Sequence, residues 1–358
     1  MRFDVNETIL RHIATAGGSA FALRQAADRD LSELVAGLFG ARSDIRRLDR
    51  AQLVARTILH VNDFSDIMEL RDIVARQELQ RLINYSKQKD HTAHTVYLYL
   101  LGIWFFDNVS EIHSAVVTQS GAQTEEDACY WFLYQWLFAS LLHDIGYAFY
   151  DLSSDTKGDR ECIDEVYSWK WLNQLFGPCP VLGRTLSDKT LAKLRAVHDE
   201  FSVKYLKKMP PPTAKYAPGA QVEVLQRLAA APWLGDLCAD WRDKDIFDVL
   251  TLGSDVDLRT YAMTVAAHGY VPNGTAGCVD HAVASGLLLF QYVSYSYWLM
   301  NELRTDIAAY DEATAGFNYD LSYLPNLLDA CRAVAYHNVQ PSVSGAQAIL
   351  QHITLAGC

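Results

Sequence analysis

An apolar run that ends in an adjacent histidine and aspartate most constrains how this 358-residue chain can fold. Residues 129–142 read CYWFLYQWLFASLL, and His143, Asp144 and Gly146 follow in LLHDIGY. The run predicts a buried helix, and burial desolvates the imidazole and the carboxylate at its end. Because buried polar groups need partners, the pair indicates either a buried ion pair or the ligands of a divalent metal ion. The apolar run before the pair and the glycine after it favour the metal site.

The rest of the pattern predicts an all-α protein. Half of the residues are hydrophobic and 21% are charged, which is typical of a globular chain with a packed core. Apolar residues recur at helical spacing, whereas period-2 strand patterns are absent. Further core helices are predicted over 89–107, 280–303 and 323–339. Gln135 and Gln291 interrupt the two most apolar runs, which favours core helices over membrane spans.

The chain is predicted to consist of an N-terminal helical extension, residues 1–85, and a main helical domain, residues 86–358. The extension is amphipathic and carries no catalytic motif, so we expect an accessory layer that packs on the main domain or on a second copy of the chain. Residues 150–278 are predicted to be an insertion or lid within the main domain. The three prolines at 210–212 break this insertion, because proline cannot lie inside a helix.

Local signals also predict individual helix boundaries. Gly40 is expected to end a helix, and Asp63 or Ser65 is expected to start one. The polar residues 108–128 predict a connection whose end, at Thr124 and the three acids that follow, starts the next helix.

The charge balance limits the partners of this protein. The formal net charge of −12 argues against non-specific binding to nucleic acid or anionic lipid, although a local basic pocket for one phosphate group stays open. The N-terminus has acids and no uninterrupted apolar stretch, so it is not typical of a secretory signal, and we expect a cytoplasmic protein. The seven cysteines lack regular spacing and predict small buried side chains rather than a disulfide framework.

The segment LLHDIGY resembles the central motif of the HD-domain metal-dependent phosphohydrolase superfamily. In that superfamily a histidine on an earlier helix joins the His-Asp pair. That histidine matches His94 in DHTAHTVYLYLLG, with His91 one turn upstream and His113 in EIHSAVV as alternatives. The resemblance covers roughly 89–339 and implies an HD-like helical bundle in which His94, His143 and Asp144 bind a divalent metal ion.

Later histidines extend the resemblance. His281 in VDHAVASGLLLF and His337 in AVAYHNV match the superfamily's further histidines, which hold a second metal or contact the phosphate. His198 repeats the His-Asp dipeptide on a predicted exposed amphipathic helix, and His268, in a predicted loop, is a further candidate for lining the site.

The final aspartate of the superfamily pattern is not evident. It follows the last histidine by some tens of residues, but no aspartate follows Asp329 in this sequence. Either the chain lacks the helix with that ligand through truncation, or Asp320 or Asp329 takes its place, or the site is assembled differently.

The resemblance implies a phosphohydrolase that acts on a small phosphate ester, a nucleotide or cyclic nucleotide. The ion, which is Mn, Fe, Ni, Zn or Mg, would polarise a phosphoryl oxygen and lower the pKa of water. The expected catalytic residues are His143, Asp144, His281 and His337, of which the last two hold a second ion or neutralise the phosphate. A non-catalytic metal- or nucleotide-binding regulator and a structural helical interaction protein are the alternatives. Phosphate-loop, nucleophile-elbow, H-E-x-x-H and dinucleotide motifs are absent.

Overall fold

A computed structural model of the chain describes most of its residues. The described ranges are 4–27, 30–61, 68, 71–72, 74–76, 78–79, 91–149, 186–206, 220–269, 278–314 and 319–339. Regular secondary structure in these ranges is entirely helical, which confirms the all-α prediction. The chain divides into two compact units, whose described residues lie within 4–144 and 145–339.

Several predictions from the sequence lie outside the described residues. They concern the helix start at Asp63 or Ser65, the boundary between residues 85 and 86, the prolines at 210–212, and the C-terminal residues 340–358.

The first unit is built from short helices around one long apolar helix. Its helices are α1 Val5–Thr15, α2 Gly18–Ala26, α3 Leu31–Phe39, α4 Asp44–Val61, α5 His91–Asn108, α6 Ser110–Ser120 and α7 Glu125–Trp136, and the π-helical turn Leu137–Leu141 continues α7. The described residues between 68 and 79 are also helical. Helices α1, α2, α4, α6 and the π-helical turn all contact α5, so the N-terminal helices pack on the helix that carries His91 and His94.

Side-chain caps explain where several helices begin. Asp4, Asp30 and Thr124 each accept a hydrogen bond from a backbone N–H in the first turn of α1, α3 and α7. Gly40 follows α3, and Thr124 precedes α7, as predicted. The prediction of a connection over 108–128 is wrong in its first half, because α6 occupies Ser110–Ser120. This helix is polar along most of its length and buries Val116, so its short apolar face gave a weak periodic signal.

The second unit surrounds a single buried helix. Its elements are the 3₁₀ turn Ile145–Phe149, α8 Asp188–Lys204, α9 Ala220–Ala229, α10 Leu234–Leu237, the 3₁₀ turn Ala239–Trp241, α11 Ile246–Thr251, α12 Leu258–His268, α13 His281–Leu303, α14 Ile307–Thr314, the 3₁₀ turn Leu321–Tyr323 and α15 Leu324–Tyr336. Every residue of α13 through Met300 is buried, which confirms the predicted core helix.

Gln291 ties the middle of α13 to the end of the neighbouring helix α9. The Gln291 amide donates to the backbone carbonyls of Arg227 and Ala230, at 3.1 and 2.8 Å, where α9 ends. The absence of a side chain at Gly286 allows α15 to approach closely, because a Cβ atom there would lie 2.5 Å from the Cβ of Ala335. Helices α13 and α15 are therefore held in one register, which fixes the positions of His281 and His337 at their ends.

No helix in the described ranges is both long and apolar enough to cross a lipid bilayer. The described cysteines carry free thiols; Cys129 and Cys331 are buried, as predicted, whereas Cys238 and Cys278 are partly exposed.

Asp107 holds α5 against the N-terminal helices. Its carboxylate accepts hydrogen bonds from His12 Nε2 at 2.8 Å, from the Ser19 hydroxyl at 2.8 Å and from the Ser19 and Ala20 backbone N–H groups. Burial by itself would raise the pKa of Asp107, but these hydrogen bonds outweigh it and hold the pKa below its ordinary value. The carboxylate also lies at the N-terminus of α2, where the helix dipole favours a negative charge.

We therefore expect Asp107→Asn to lower the free energy of unfolding by about 1–3 kcal/mol near neutral pH. Because the folded-state pKa is depressed, this stability is fully present above the unfolded pKa of about 4 and is lost as the pH falls through the folded value. Chemical denaturation across a pH series should show the variant and the wild type converging in acid. Glu7→Gln, at an exposed pair with Arg11, is the control with little expected effect. A constant difference between Asp107→Asn and wild type at all pH values would contradict the assignment.

Candidate metal centre

The first turn of α5 presents two histidines on one face. His91 is the first residue of α5, and His94 follows three residues later, so that their rings stand 6.3 Å apart between centroids. The Glu78 carboxylate accepts from the backbone N–H groups of His91, at 2.5 Å, and Thr92, at 3.0 Å. It thereby satisfies N–H groups that a helix N-terminus leaves without intrahelical partners. The turn that carries both imidazoles is thus fixed by a side chain from the segment before it.

A π-helical turn positions His143. The residues Leu137–Leu141 form this turn, and the Ser140 carbonyl at its end accepts from His143 Nδ1 at 2.6 Å. A carbonyl can only accept, so Nδ1 carries the proton and the neutral ring presents a lone pair at Nε2. Such a hydrogen bond orients metal-binding histidines. His143 is therefore oriented as a ligand through Nε2.

Four side chains of the first unit, those of His91, His94, His143 and Asp144, lie close together. His94 Nε2 lies 3.1 Å from His143 Nε2. The Asp144 carboxylate places Oδ1 3.4 Å from His143 Nε2, and Oδ2 3.4 Å from His91 Nδ1 and 3.6 Å from His94 Nε2. The ligand atoms of His91, His94 and Asp144 all lie within 4.8 Å of one another.

These separations fit a bound transition metal. With bonds of about 2.0–2.2 Å, neighbouring ligand atoms around one ion stand roughly 3 Å apart in octahedral and roughly 3.4 Å apart in tetrahedral geometry. The observed separations of 3.1–3.6 Å span these values. Imidazole nitrogen and carboxylate oxygen suit Zn, Fe, Ni and Mn. The cluster can therefore hold a divalent metal ion.

Burial differs among these four side chains. The side chains of His91, His143 and Asp144 are 11, 10 and 6% exposed, whereas that of His94 is 48% exposed. Burying a carboxylate is costly unless positive charge or hydrogen bonds compensate it. The buried guanidinium of Arg71 is among the charges that interact with Asp144. The exposed edge at His94 leaves the cluster open to solvent on that side.

His281 and His337 form a second histidine pair, within the second unit. His281 is the first residue of α13, His337 follows α15, and their Nε2 atoms are 3.3 Å apart. His337 Nδ1 donates to the Val334 carbonyl at 2.7 Å. Tyr147 stacks on His281 with ring centroids 3.9 Å apart. Both rings are therefore held in place.

Asp280 supports this second pair. Its side chain is fully buried and accepts from the backbone N–H of Val283 at 3.0 Å, which starts α13. It also accepts from the Tyr261 hydroxyl at 3.0 Å and from the Asn338 amide at 3.1 Å. Burial, followed by the neighbouring Asp280 charge, raises the pKa of Tyr261, so the phenol stays protonated as a donor. One carboxylate thus ties the residue before His281 to the residue after His337.

The two histidine pairs have the same local geometry. Ring centroids are 5.0 Å apart at 64° for His94 and His143, and 5.2 Å apart at 66° for His281 and His337. In each pair one ring donates Nδ1–H to the carbonyl three residues earlier and directs Nε2 at its partner. Each unit therefore presents two imidazole nitrogens in an arrangement suited to a metal ion or a phosphate oxygen.

Two of the other candidate histidines have partners outside the cluster: His113 pairs with Glu125 at 3.2 Å, and His198 contacts the Tyr295 hydroxyl at 2.9 Å. His268, predicted in a loop, instead ends α12 in an exposed position. Burial lowers the pKa of His198, which favours its neutral form.

The two aspartates considered for the final ligand position also have local contacts. Asp320 accepts from the Ser322 N–H, and Asp329 pairs with Arg332 at 2.8 Å. His91, an alternative to His94 in the sequence, instead lies beside Asp144 together with His94.

Arg71 and Glu78 are the functional-site neighbours that the sequence did not indicate. Both lie in the extension, and both contact the first turn of α5. Their seven-residue spacing, which places them on one helical face, was the one available signal, but it is common on amphipathic helices.

Comparisons with known proteins give no relative. No protein-family profile, curated protein or solved structure matches this chain.

The glycine of LLHDIGY is required by close packing within the second unit. Its N–H donates to the Ser285 hydroxyl at 2.7 Å, and a Cβ atom on Gly146 would lie 2.0 Å from the His281 carbonyl oxygen. We expect Gly146→Ala to lower the free energy of unfolding by about 1–3 kcal/mol, because backbone atoms must move to relieve the overlap. Denaturant unfolding measures this. Gly17→Ala, where a Cβ meets nothing within 4 Å, is the control, and equal stability of the two variants would contradict the packing account.

Proposed function

We propose that this protein is a metal-dependent phosphohydrolase that acts on a small phosphate ester, with a nucleotide or cyclic nucleotide as the substrate class. The observation that carries the proposal is that Asp144 lies 3.4–3.6 Å from His91, His94 and His143, and that His94 and His143 are 3.1 Å apart. The resemblance of LLHDIGY to the HD-domain superfamily supplies the reaction class. The donor set supports binding of Mn, Fe, Ni or Zn more directly than Mg, which prefers oxygen ligands.

A divalent ion held by His91, His94, His143 and Asp144 would supply Lewis acidity, which would polarise a phosphoryl oxygen and lower the pKa of water. The chain's own residues position the reactants. In hydrolysis the water oxygen forms a bond to phosphorus, the ester P–O bond breaks, and the released oxygen takes up a proton. The half-exposed ring of His94 marks the side from which water and substrate reach the cluster.

His281 and His337 are proposed to assist within the second unit. Their paired Nε2 atoms, 3.3 Å apart, offer two nitrogen ligands for a further divalent ion or two donors for a phosphate oxygen. This role continues the sequence prediction that both residues are catalytic and metal-binding.

We propose a small substrate because the acidic chain disfavours large polyanions. A net charge of −12 repels long polyanions, whereas one phosphate group can still be neutralised by a metal ion and histidines. A cytoplasmic location and a homo-oligomeric assembly belong to the same proposal.

A non-catalytic metal-binding regulator is the second candidate, and the donor set itself favours it. Three imidazoles and one carboxylate lie close enough in the first unit to offer Zn up to four ligands, and closed four-ligand zinc sites are structural. An ion with octahedral preference would instead keep two positions for water and substrate. The identity and coordination number of the bound metal therefore separate the two candidates.

Metal content tests the site. We expect purified or reconstituted wild type to bind a divalent transition metal stoichiometrically. His143→Ala and Asp144→Asn should each weaken binding by more than about 100-fold, since loss of outer-shell partners alone costs about 10–100-fold. Elemental analysis after dialysis against a graded chelator series measures the affinity.

His113→Ala is the matched control, because it removes a histidine of the first unit that pairs with Glu125 outside the cluster. Circular dichroism establishes that each variant is folded. Wild type that binds no metal after reconstitution, or metal retained equally in all variants, would contradict the proposed centre.

Hydrolysis is tested on the same samples. We expect wild type loaded with Mn, Fe or Ni to release phosphate from a member of a nucleotide and cyclic-nucleotide panel, and His143→Ala to lose that activity. Tight binding of Zn without turnover under any metal would instead support the regulator.

A further inference from the structure

We propose that Arg71 is a positioning residue of the metal centre, which holds the helix turn that carries His94 against the turn that precedes His143. The inference rests on the proposed metal site and extends it to the N-terminal extension, where no motif was expected.

The guanidinium of Arg71 joins two segments that carry ligands. It donates through Nη2 to the Thr92 carbonyl at 3.0 Å, and through Nη1 to the Thr95 hydroxyl at 3.0 Å and to the Leu141 carbonyl. Thr92 and Thr95 each follow a histidine of α5, and Leu141 ends the π-helical turn before His143. A planar guanidinium fixes the directions of its donors, so one side chain sets the spacing between the two segments.

Glu78 holds the same turn by its backbone. Its carboxylate accepts from the N–H groups of His91 and Thr92, while Arg71 donates to the carbonyl of Thr92. Residues 71 and 78 are two helical turns apart and therefore share a face. The segment thus contacts the first turn of α5 with a cation and an anion together.

The burial of Arg71 requires an explanation beyond surface pairing. The residue is 4% exposed, and burial lowers its pKa to about 10, although the charges of Glu78, Asp144 and Asp72 act in the opposite direction. A buried ion pair gains little stability on average relative to apolar packing. We infer that buried Arg71 acts through geometry instead, because its hydrogen bonds fix the positions at which the imidazoles of His94 and His143 meet.

Charge and geometry predict opposite effects of removing Arg71. A guanidinium close to Asp144 repels an incoming cation, so loss of the charge alone would tighten metal binding. Loss of the hydrogen bonds would let the two ligand-carrying segments shift, which would weaken metal binding. The proposal states that the geometric effect is the larger one.

The test compares metal affinity and ligand-field spectra of Co²⁺-loaded, full-length variants. We expect Arg71→Met to weaken Co²⁺ binding by about 10–100-fold and to change the visible absorption of the bound ion. Arg71→Lys, which keeps the charge but not the planar fork, should fall between Arg71→Met and wild type. Arg76→Met is the matched control, because Arg76 lies exposed on the same segment. This variant should bind Co²⁺ as wild type does.

Thr95 provides a second pair of variants if Arg71→Met does not fold. Thr95→Val removes the hydroxyl that accepts from Arg71 and keeps the side-chain shape, whereas Thr95→Ser retains the hydroxyl. We expect weaker binding and an altered spectrum in Thr95→Val, with both properties restored in Thr95→Ser.

The outcomes separate this inference from the proposed function. Wild type that binds no Co²⁺ refutes the metal centre itself. Wild type that binds Co²⁺, with unchanged affinity and spectrum in Thr95→Val and in folded Arg71→Met, overturns the role of Arg71 and leaves the centre standing. Tighter binding by Arg71→Met also overturns it, because charge would then outweigh geometry.

Discussion

The desolvation of Asp144 is the constraint on which the rest of the first unit depends. A carboxylate with 6% of its side chain exposed loses most of its hydration, and only close positive charge or donors make that burial tolerable. Three imidazoles and a buried guanidinium are gathered around it. Helix α5, the π-helical turn and the segment of residues 71–79 each bring one part of this set. A divalent ion among these side chains would complete the compensation, and for this reason we propose a metal centre rather than an ion pair.

Much of the fold could be predicted from the sequence because its signals are local. The apolar runs that became α7 and α13 were long, and Thr124 and Gly40 mark helix ends by their own backbone chemistry. Helix α6 was missed since its single buried residue, Val116, leaves little periodicity. The site residues likewise fall into those with a local sequence signal and those without one. His94, His143 and Asp144 stand next to apolar runs, whereas the contacts of Arg71 with Thr92 and Leu141 join residues 21 and 70 positions apart. No local pattern reports such contacts.

The two histidine pairs, His94 with His143 and His281 with His337, have the same local geometry but different carboxylate neighbours. In each pair a carbonyl accepts from one Nδ1, which directs Nε2 at the partner ring, and in each a carboxylate stands next to the pair in sequence. Asp144 faces its histidines directly, whereas Asp280 supports its pair by capping α13 and binding Tyr261 and Asn338. The first pair therefore has a carboxylate close enough to share a metal ion with it, whereas the carboxylate beside the second pair is structural. This difference is why we propose the first pair as the primary metal centre.

A crystal structure of the metal-reconstituted protein, with anomalous scattering recorded at the absorption edge of the added ion, tests the central claim most directly. The account predicts one anomalous peak within bonding distance, about 2.0–2.2 Å, of His94 Nε2, His143 Nε2 and the Asp144 carboxylate, with His91 Nδ1 as the fourth ligand. The account would be contradicted by a peak at another place in the first unit, or by no peak at this cluster.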